Sequence, residues 1–401
     1  MQGNHRNLFC ALISMLLMCS TLHAADTSDS SFELYGFAQA DFIHDFGRLD
    51  PSWDDAFRPS KISIDGQFGG DDQSSISVKQ SRFGVKGTMP TGNLPLNFKF
   101  EFDLFGTGGD AGQTTFRLRH AYGEWGSLLA GQTNSLFMDG DVYPNVVDYW
   151  GPIGMVFYRN VQIRYTPLKT DAMHFSVAIE RPGNDIDPGN IRLIEGFGGA
   201  EIQNNEELPD LTLQWRLNSD WGHFQAAGIL RKVGFEGRVD PADSFDSGSE
   251  LGWGINLGSA INTVGSDKVL LQVVYGEGIA SYMNDGGMDL APRLRGTPAN
   301  DIEAKAVPLT GMLAYYDHYW SEKWSSSIGY SFNEVDNTNF QDDSAYHKGQ
   351  YASVNLLTYP GKNLLMGAEL MWGERENNDG AKDDDVRLQF TIKYDFSVKL
   401  R

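Results

Sequence analysis

Basic side chains recur at alternate positions in segments whose remaining positions are largely apolar. They are Arg82, Lys86, Arg117, Arg119, Arg164, Arg216 and Arg387. Guanidinium and ammonium groups bind carboxylates through charge-assisted hydrogen bonds, and arginine does so in a bidentate geometry. If these side chains line one passage, they are candidate contacts for small anions. Alternatively, they face acids across the passage and little net selectivity results; those acids would be Glu101, Asp103, Glu180 and Glu369.

The connection between Asn134 and Arg159 combines acidic with aromatic residues. Its candidate site residues are Asp139, Asp141, Asp148 and Arg159, and Tyr149 is among its aromatics. This aromatic content indicates a loop that packs against other residues. We expect it to fold inward and narrow the passage, where acids opposite a basic wall would orient charged or dipolar solutes. The alternative is an extracellular flap packed against a neighbouring subunit.

Motifs of enzymes and metal sites are weak or lacking in the sequence. Residues 106–111 resemble a dinucleotide-binding fingerprint, but no helical pattern follows them. No Gly-x-Ser-x-Gly or His-Glu-x-x-His motif occurs. Acidic runs such as Asp383–Asp385 lack the ligand spacing of a calcium loop. We therefore expect no catalysis, no cofactor, no metal site and no nucleic-acid partner.

The segments that carry these residues alternate apolar and polar side chains. In 96–104, leucine and phenylalanine alternate with Asn97, Lys99, Glu101 and Asp103. A period of two is typical of a β-strand with one apolar face. The sequence predicts sixteen such strands: 32–43, 78–88, 95–104, 115–125, 127–133, 160–166, 172–181, 209–217, 222–232, 250–261, 267–276, 309–319, 322–334, 350–359, 362–374 and 386–396.

The connections between the strands are alternately short and mostly long. This arrangement favours an all-β fold, a transmembrane antiparallel β-barrel of about 16 strands with periplasmic turns, extracellular loops and an inward-folded constriction loop. The lumen of such a barrel is too wide for side chains to fill, so an aqueous channel follows. A lipid-facing arginine or lysine at the bilayer midplane costs about 2–4 kcal/mol, so the basic residues should face the lumen. A soluble two-sheet β protein is the alternative.

The first residues indicate export. An apolar run, Leu8–Met18, follows a basic residue and precedes a small-residue site, which predicts a signal peptide over 1–24. Both cysteines, Cys10 and Cys19, fall in that segment, so no disulfide is expected. Beyond it no run of about twenty apolar residues occurs. The mean hydropathy of -0.36 likewise argues against a helical membrane protein.

The expected organisation is a signal peptide (1–24), a short periplasmic segment (25–31), a barrel (32–396) and a short tail (397–401), in the outer membrane of a Gram-negative bacterium. The net charge of -21 falls mainly in the predicted outer loops. The last strand ends in an aromatic pattern similar to the one that the outer-membrane assembly machinery recognises. The expected partners are that machinery, membrane lipid, lipopolysaccharide and small anionic solutes.

Four stretches of the chain resemble the DcaP-like family of trimeric outer-membrane porins. They are Leu34–Phe42, Ser81–Gly87, Phe116–Glu124 and Leu129–Asp139. The resemblance spans essentially 32–396 and is most specific over 81–140. It implies a sixteen-stranded barrel, a homotrimer, and passive uptake of small organic anions such as dicarboxylates through an arginine-lined constriction. The matching residues are Arg82, Arg117 and Arg119, with Asp139 opposite.

Other functions remain as alternatives. Within the diffusion channels, these are a general non-selective, a cation-preferring or a carbohydrate porin. An adhesin or structural barrel that acts through its acidic loops would have a plugged lumen and no conductance. A barrel enzyme such as a lipid hydrolase would need a Ser/His pair at a membrane edge, and the sequence does not place one.

Overall fold

The computed structural model of the chain describes residues 30–193, 202–238, 245–296 and 302–400. The predicted signal peptide and most of the segment 25–31 lie outside these residues. The described residues form twenty strands: β1 Ser31–Asp45, β2 Gln73–Ser77, β3 Arg82–Thr91, β4 Leu94–Phe105, β5 Thr114–Trp125, β6 Leu128–Asn134, β7 Arg159–Lys169, β8 Met173–Glu180, β9 Ile202–Asn204, β10 Asp210–Ser219, β11 Gly222–Arg238, β12 Phe245–Asn262, β13 Lys268–Glu277, β14 Leu290–Leu294, β15 Ile302–Ala306, β16 Pro308–Ser321, β17 Trp324–Val335, β18 Tyr346–Gly361, β19 Leu364–Asn377 and β20 Lys382–Leu400. Short 3-10 helices occupy Pro51–Trp53, Pro59–Lys61, Gly108–Asp110, Gly140–Val142, Gly189–Leu193 and Ala280–Tyr282.

Sixteen of these strands form one closed antiparallel barrel. The barrel order is β1, β3–β8, β10–β13 and β16–β20, and β20 pairs with β1 to close the ring. The closing ladder runs from Phe32 opposite Leu400 to Asp45 opposite Arg387. Each of the sixteen predicted segments corresponds to one barrel strand, with ends displaced by several residues. The prediction of a sixteen-stranded barrel is therefore confirmed.

Apolar side chains of the barrel point outward and polar side chains point inward. On β20, Phe390 and Ile392 are 48% and 53% exposed, whereas Gln389 and Thr391 are buried. Successive side chains reach opposite faces because a strand has a period of two. Such a pattern suits strands that separate lipid from a polar interior. Among the described residues, no helix has the length and apolarity needed to span a membrane.

Four short strands were not predicted from the sequence. β2 pairs with the end of β1 and β9 with the end of β11, while β14 and β15 form a separate hairpin. All four lie in connections that show no long alternation. The last barrel strand also extends further than expected, because residues 397–400 continue β20 instead of forming a tail. Ser397 and Val398 keep the register opposite Tyr35 and Leu34.

Long connections from one rim of the barrel fold into its interior. Phe57 and Ile153, from two different loops, pack with Tyr351 of β18 in one apolar cluster. Phe137 and Tyr282 belong to a second cluster. The loops over 46–72, 135–158 and 278–289 therefore build an apolar core inside the polar wall. That core positions the side chains described next.

Candidate functional site

The loop 135–158 crosses the lumen and contacts the wall on the far side. Asp139 Oδ2 lies 2.7 Å from Nε2 of His223 on β11. The backbone N–H of Val147 donates to Glu369 on β19 at 2.5 Å. Because these partners lie on lumen-facing positions of strands remote from β6 and β7, the loop lies inside the barrel. The inward fold expected from its aromatic content is what the structure has.

Asp148 connects this loop to the first long loop, residues 46–72. It is buried, and its carboxylate accepts hydrogen bonds from the backbone N–H groups of Phe57 (3.0 Å), Trp150 (3.1 Å) and Gly151 (2.7 Å). Burial raises the pKa of Asp148, and the nearby Arg387 and these donors act in the opposite direction. Asp148 therefore holds two loops together rather than facing solutes.

Asp139, Asp141 and His223 bring three atoms that could bind a metal within 4.8 Å of one another. Arg216 of β10 pairs with both carboxylates, at 3.5 Å from Asp139 and 2.5 Å from Asp141. Its guanidinium supplies the positive charge that a metal ion would bring to this cluster. The cluster thus anchors the loop to β10 and β11.

Arg117 and Arg119 converge on two acids of the neighbouring strand β4. Arg117 donates to both carboxylate oxygens of Asp103, at 3.1 and 2.6 Å. Arg119 donates to Glu101 and to Asp103, at 2.9 Å each. Tyr149 of the loop donates to Asp103 at 2.7 Å and accepts from Arg119 at 3.0 Å. These arginines are therefore compensated on their own side of the lumen, whereas Asp139 pairs with His223 and Arg216.

A β-bulge places these groups. The register between β4 and β5 shifts at Arg119, so that His120 lies opposite Glu101 while Leu118 lies opposite Phe102. An extra residue in one strand brings two successive side chains to the same face. Arg119 and His120 are both buried in the wall of the lumen. A strict alternation of inward and outward side chains would place Arg119 in the wall of the lumen but would direct His120 outward.

Three other predicted basic residues lie at different levels of the wall. Arg82 lies 3.7 Å from Glu101 and so belongs to the same cluster as Arg119. Lys86 is half exposed and lies 3.4 Å from Glu33, towards the rim with short turns. Arg164 lines a separate small cavity of about 160 Å³. The structure therefore does not bring all of the predicted cations to one constriction.

Arg387 contacts other groups of the protein and does not face the open lumen. It is fully buried and donates to both carboxylate oxygens of Asp45, at 2.6 and 2.8 Å. It also donates to the backbone carbonyl of Asp54 at 3.0 Å. The first long loop folds over it, so Arg387 has no contact with open lumen. The Arg387 side chain points inward, as predicted, but the loop over 46–72 covers it.

Two adjoining cavities lie within the barrel, with volumes of about 370 and 420 Å³. Arg58, Arg117 and Arg159 line the first, together with the rings of Tyr149 and Trp150. We call this space the first cavity. The second cavity shares Arg58 with the first and is also lined by Lys61, Arg375 and several aspartates. Cations are therefore found along both spaces.

Sequence reasoning missed Arg58, Lys61 and Arg375. The guanidinium carbon of Arg58 lies 4.1 Å from the ring centroid of Trp53 and 4.4 Å from that of Trp150, and the guanidinium pairs with Asp285 at 2.7 Å. Arg58 and Lys61 lie in a loop without periodicity. The large apolar residues of that loop are a signal from which its packing could have been predicted.

Lys61 and Arg375 lack a close acidic partner. Among the described residues, no carboxylate oxygen lies within 4.0 Å of either cation. Arg375 donates to Asn377 and to the carbonyl of Ile62. Burial, reinforced by Arg58, lowers the pKa of Lys61. A lowered lysine pKa is expected where desolvation and neighbouring cations outweigh nearby acids.

Comparison with known proteins places this fold. A family model described as DcaP outer membrane protein matches residues 18–396. The outer membrane channel DcaP of Acinetobacter baumannii is 23% identical, with a TM-score of 0.76 over 94% of this chain and 100% of that one. An anion-selective porin from Comamonas acidovorans is 10% identical, with a TM-score of 0.59 over 92% and 100%. The trimer form of OmpT from Vibrio cholerae is 12% identical, with a TM-score of 0.54 over 92% and 99%. No curated protein matches the chain.

At identities of 10–23%, the solved structures support the fold. The family model covers nearly the whole chain. The overall similarity of the solved structures agrees with the closed antiparallel barrel. The family model places the protein in the outer membrane of Gram-negative bacteria. The chain belongs to the DcaP outer membrane protein family, and it has the barrel fold of outer-membrane porins.

Proposed function

We propose that this porin is a passive diffusion channel that favours small organic anions, dicarboxylates among them, and that it has no catalytic activity. The observation that carries the proposal is the line of cations along the two adjoining cavities. Lys61 and Arg375 line the second cavity, Arg58 lines both, and Arg117 lines the first. A carboxylate moving through these spaces would meet charged donors along its path.

Two of the acids that line these cavities, Asp285 and Asp187, accept several hydrogen bonds from the chain. Asp285 accepts from Arg58, from the backbone N–H of Ser60 at 2.9 Å and from the Ser60 hydroxyl at 2.6 Å. Asp187 accepts from Gly189 and Gln341. Lys61 and Arg375, by contrast, keep donors available. The interior therefore favours anions. The net charge of -21 of the whole chain does not oppose this, because charges in the outer loops are screened over about 8 Å at physiological salt.

The remaining predicted residues receive supporting roles in this proposal. Arg82, Arg119 and Arg216 shape the field of the wall, and the loop with Asp139, Asp141 and Asp148 narrows the lumen. Lys86 and Arg164 contact solutes on the side with short turns, whereas Arg387 supports the wall. We also propose a homotrimer that is embedded in lipid and lipopolysaccharide after insertion by the assembly machinery.

The reversal potential in planar bilayers under a tenfold salt gradient tests the selectivity. We expect the wild type to favour anions, within the limit of about 59 mV for perfect selectivity. The variant Lys61→Glu/Arg375→Glu should move the potential towards the cation side. The matched control is Lys323→Glu/Lys362→Glu, which makes the same charge change on exposed short turns and should stay near the wild type.

Each other outcome identifies a different function. A wild-type potential of the cation sign would favour a cation-preferring porin, and a potential near zero would favour a general or carbohydrate porin. A folded protein without conductance would point to an adhesin or an enzyme. If the wild type favours anions, flux of a dicarboxylate into liposomes should exceed that of a neutral sugar of similar mass.

A further inference from the structure

Four residues line both cavities and so form the boundary between them: Arg58, Asp185, Gly286 and Gly287. A solute that moves from one cavity to the other passes these residues. Arg58 is already paired with Asp285. The volumes of the two cavities, about 370 and 420 Å³, fall in the range of about 300–1,000 Å³ that is typical of small-molecule sites. The boundary is therefore a place at which single groups can select solutes.

The backbone of Asp185 is held in place by the loop that follows β13. Its N–H group donates to Oδ2 of Asp289 at 2.9 Å, and its carbonyl accepts from the N–H groups of Asp289 (3.0 Å) and Leu290 (3.2 Å). Asp289 is fully buried and pairs with Arg231 of β11 at 3.2 Å. The N–H group of Asp187 adds a further bond, to the carbonyl of Leu290 at 2.9 Å. These contacts fix the point from which the Asp185 side chain reaches the cavities.

The carboxylate of Asp185 has no partner among the described residues. No described cation lies within 4.0 Å of it, no described donor forms a hydrogen bond with it, and the residue is exposed. The surrounding loops nevertheless remove part of its hydration. This burial, reinforced by Asp289, raises the pKa of Asp185, and Arg231 acts in the opposite direction. Because a cation beside a carboxylate favours its ionised form, a positively charged solute group would be stabilised at Asp185.

The two glycines of the boundary add polar backbone atoms. A glycine lines a cavity with its backbone alone, and within the described ranges the N–H and carbonyl groups of Gly286 and Gly287 form no hydrogen bond. Their φ angles are 72° and 85°, which glycine adopts without strain. A Cβ atom at Gly286 would also lie 2.3 Å from the ring of Tyr346. The carbonyls of this turn are therefore candidate acceptors for a donor that is bound at Asp185.

An ammonium group fits this place better than a divalent metal ion. Calcium takes about six to eight oxygen ligands, and magnesium demands a near-ideal octahedron. In the part of the chain that the structure describes, Asp185 belongs to no group of three side chains that could hold a metal ion. A primary ammonium group has only three N–H donors to satisfy. One carboxylate with neighbouring carbonyls can supply those acceptors.

The second cavity also contains cations without an acidic partner. Lys61 and Arg375 line it, and no described carboxylate oxygen lies within 4.0 Å of either. The space thus combines two such cations with the unpaired carboxylate of Asp185. A solute that carries carboxylates and an ammonium group complements both signs of charge, and an amino dicarboxylate is the simplest solute of this kind.

We propose that Asp185 binds the ammonium group of the permeating solute, and that the channel favours acidic amino acids over anions of similar size that lack an ammonium group. The proposal rests on the proposed uptake of small organic anions and deepens it by naming the solute class. Lys61 and Arg375 bind the carboxylates of the solute through charge-assisted hydrogen bonds. An anion without an ammonium group meets the same cations but is repelled by Asp185, and such repulsion contributes to specificity.

Flux into proteoliposomes tests the role of Asp185 with two solutes, glutamate and glutaric acid monoamide, at concentrations far below saturation. The two have the same net charge at pH 7, so the overall field of the lumen acts on them alike, and only glutamate has an ammonium group. We expect the wild type to admit glutamate faster. Asp185→Asn should lower the ratio of glutamate flux to monoamide flux by about two- to fivefold, the range expected for a partly exposed ion pair.

The matched control is Asp343→Asn, which makes the same charge change at an exposed acid outside both cavities and should keep the wild-type ratio. A wild type that does not prefer glutamate, an unchanged ratio in Asp185→Asn, or an equal fall in Asp343→Asn would overturn the role of Asp185. If the wild-type reversal potential still has the anion sign, these results leave the proposed anion uptake in place. A reversal potential of the cation sign would overturn that uptake itself.

Discussion

Asp45 and Arg387 lie opposite each other on β1 and β20, the two strands that close the barrel, and are joined by hydrogen bonds of 2.6 and 2.8 Å. Both side chains are buried. Ring closure therefore includes an ion pair between residues far apart in sequence, in addition to the backbone ladder. Arg387→Ala should lower the free energy of unfolding by about 3–5 kcal/mol, because Asp45 remains as a buried charge without a partner. Urea unfolding monitored by tryptophan fluorescence measures this.

The double variant Asp45→Asn/Arg387→Met is the control for that experiment. It removes both charges and keeps side chains of comparable size. We expect it to recover a large part of the stability lost in Arg387→Ala. An Arg387→Ala protein as stable as the wild type would show that the pair does not stabilise the closure.

Removal of Arg119 should change selectivity more than removal of Lys86, although each substitution removes one positive charge. Arg119→Ala leaves Glu101 and Asp103 with fewer donors in a buried part of the wall, whereas Lys86 is half exposed and screened. We expect the reversal potential of Arg119→Ala to move towards cations, with Lys86→Ala close to the wild type. Equal shifts in the two variants would contradict a local field at Glu101.

Gly258 of β12 allows the constriction loop to approach the wall. A Cβ atom at this position would lie 2.4 Å from Oδ2 of Asp139. Gly258→Ala should therefore push the loop away from β12, destabilise the protein by about 1–3 kcal/mol and change the single-channel conductance. Gly228→Ala is the matched control, since its Cβ would meet only ordinary contacts at 3.6 Å or more. Identical conductance in Gly258→Ala and Gly228→Ala would argue against this contact.

Asp54, in the first long loop, should give a pH dependence of stability. Burial, reinforced by the neighbouring Asp55, raises the pKa of Asp54 to about 6. The folded protein therefore binds this proton more tightly than the unfolded chain, whose aspartates titrate near about 3.9. The contribution of Asp54 to stability falls as the pH rises between these values. Asp54→Asn cannot ionise, so relative to the wild type it should gain stability from pH 4 to pH 6.

Unfolding midpoints of the two proteins across this pH range provide the measurement. The comparison cancels the titrating groups that do not interact with Asp54, because they are common to both proteins. A constant difference between pH 4 and pH 7 would show that Asp54 titrates alike in the folded and unfolded states.

The strands were predictable because each of them faces lipid on one side and water on the other. These two surroundings impose a period of two on apolar and polar residues, and the segments 96–104 and 386–396 follow it almost without exception. The same constraint directs Arg117 inward. Strand ends were less predictable, since β12 and β18 begin several residues before the predicted segments 250–261 and 350–359.

The site was less predictable because its geometry depends on contacts between segments distant in sequence. The bulge at Arg119 follows no local signal, and it adds His120 to the lumen. Arg58 and Lys61 enter the cavities because their loop packs against Tyr351 and its neighbours, which no periodicity reveals. The sequence also could not show that Arg387 is covered by that loop.

The apolar core that the loops 46–72, 135–158 and 278–289 build inside the barrel has an evolutionary consequence. Membrane insertion depends on the outward side chains of the strands, whereas the shape and charge of the open spaces depend largely on residues of these loops. Substitutions that alter the range of permeating solutes can therefore accumulate without affecting how the barrel is recognised and inserted. Family members that take up different solutes would then be expected to differ first in the residues of these loops, while the sequences of their strands stay similar.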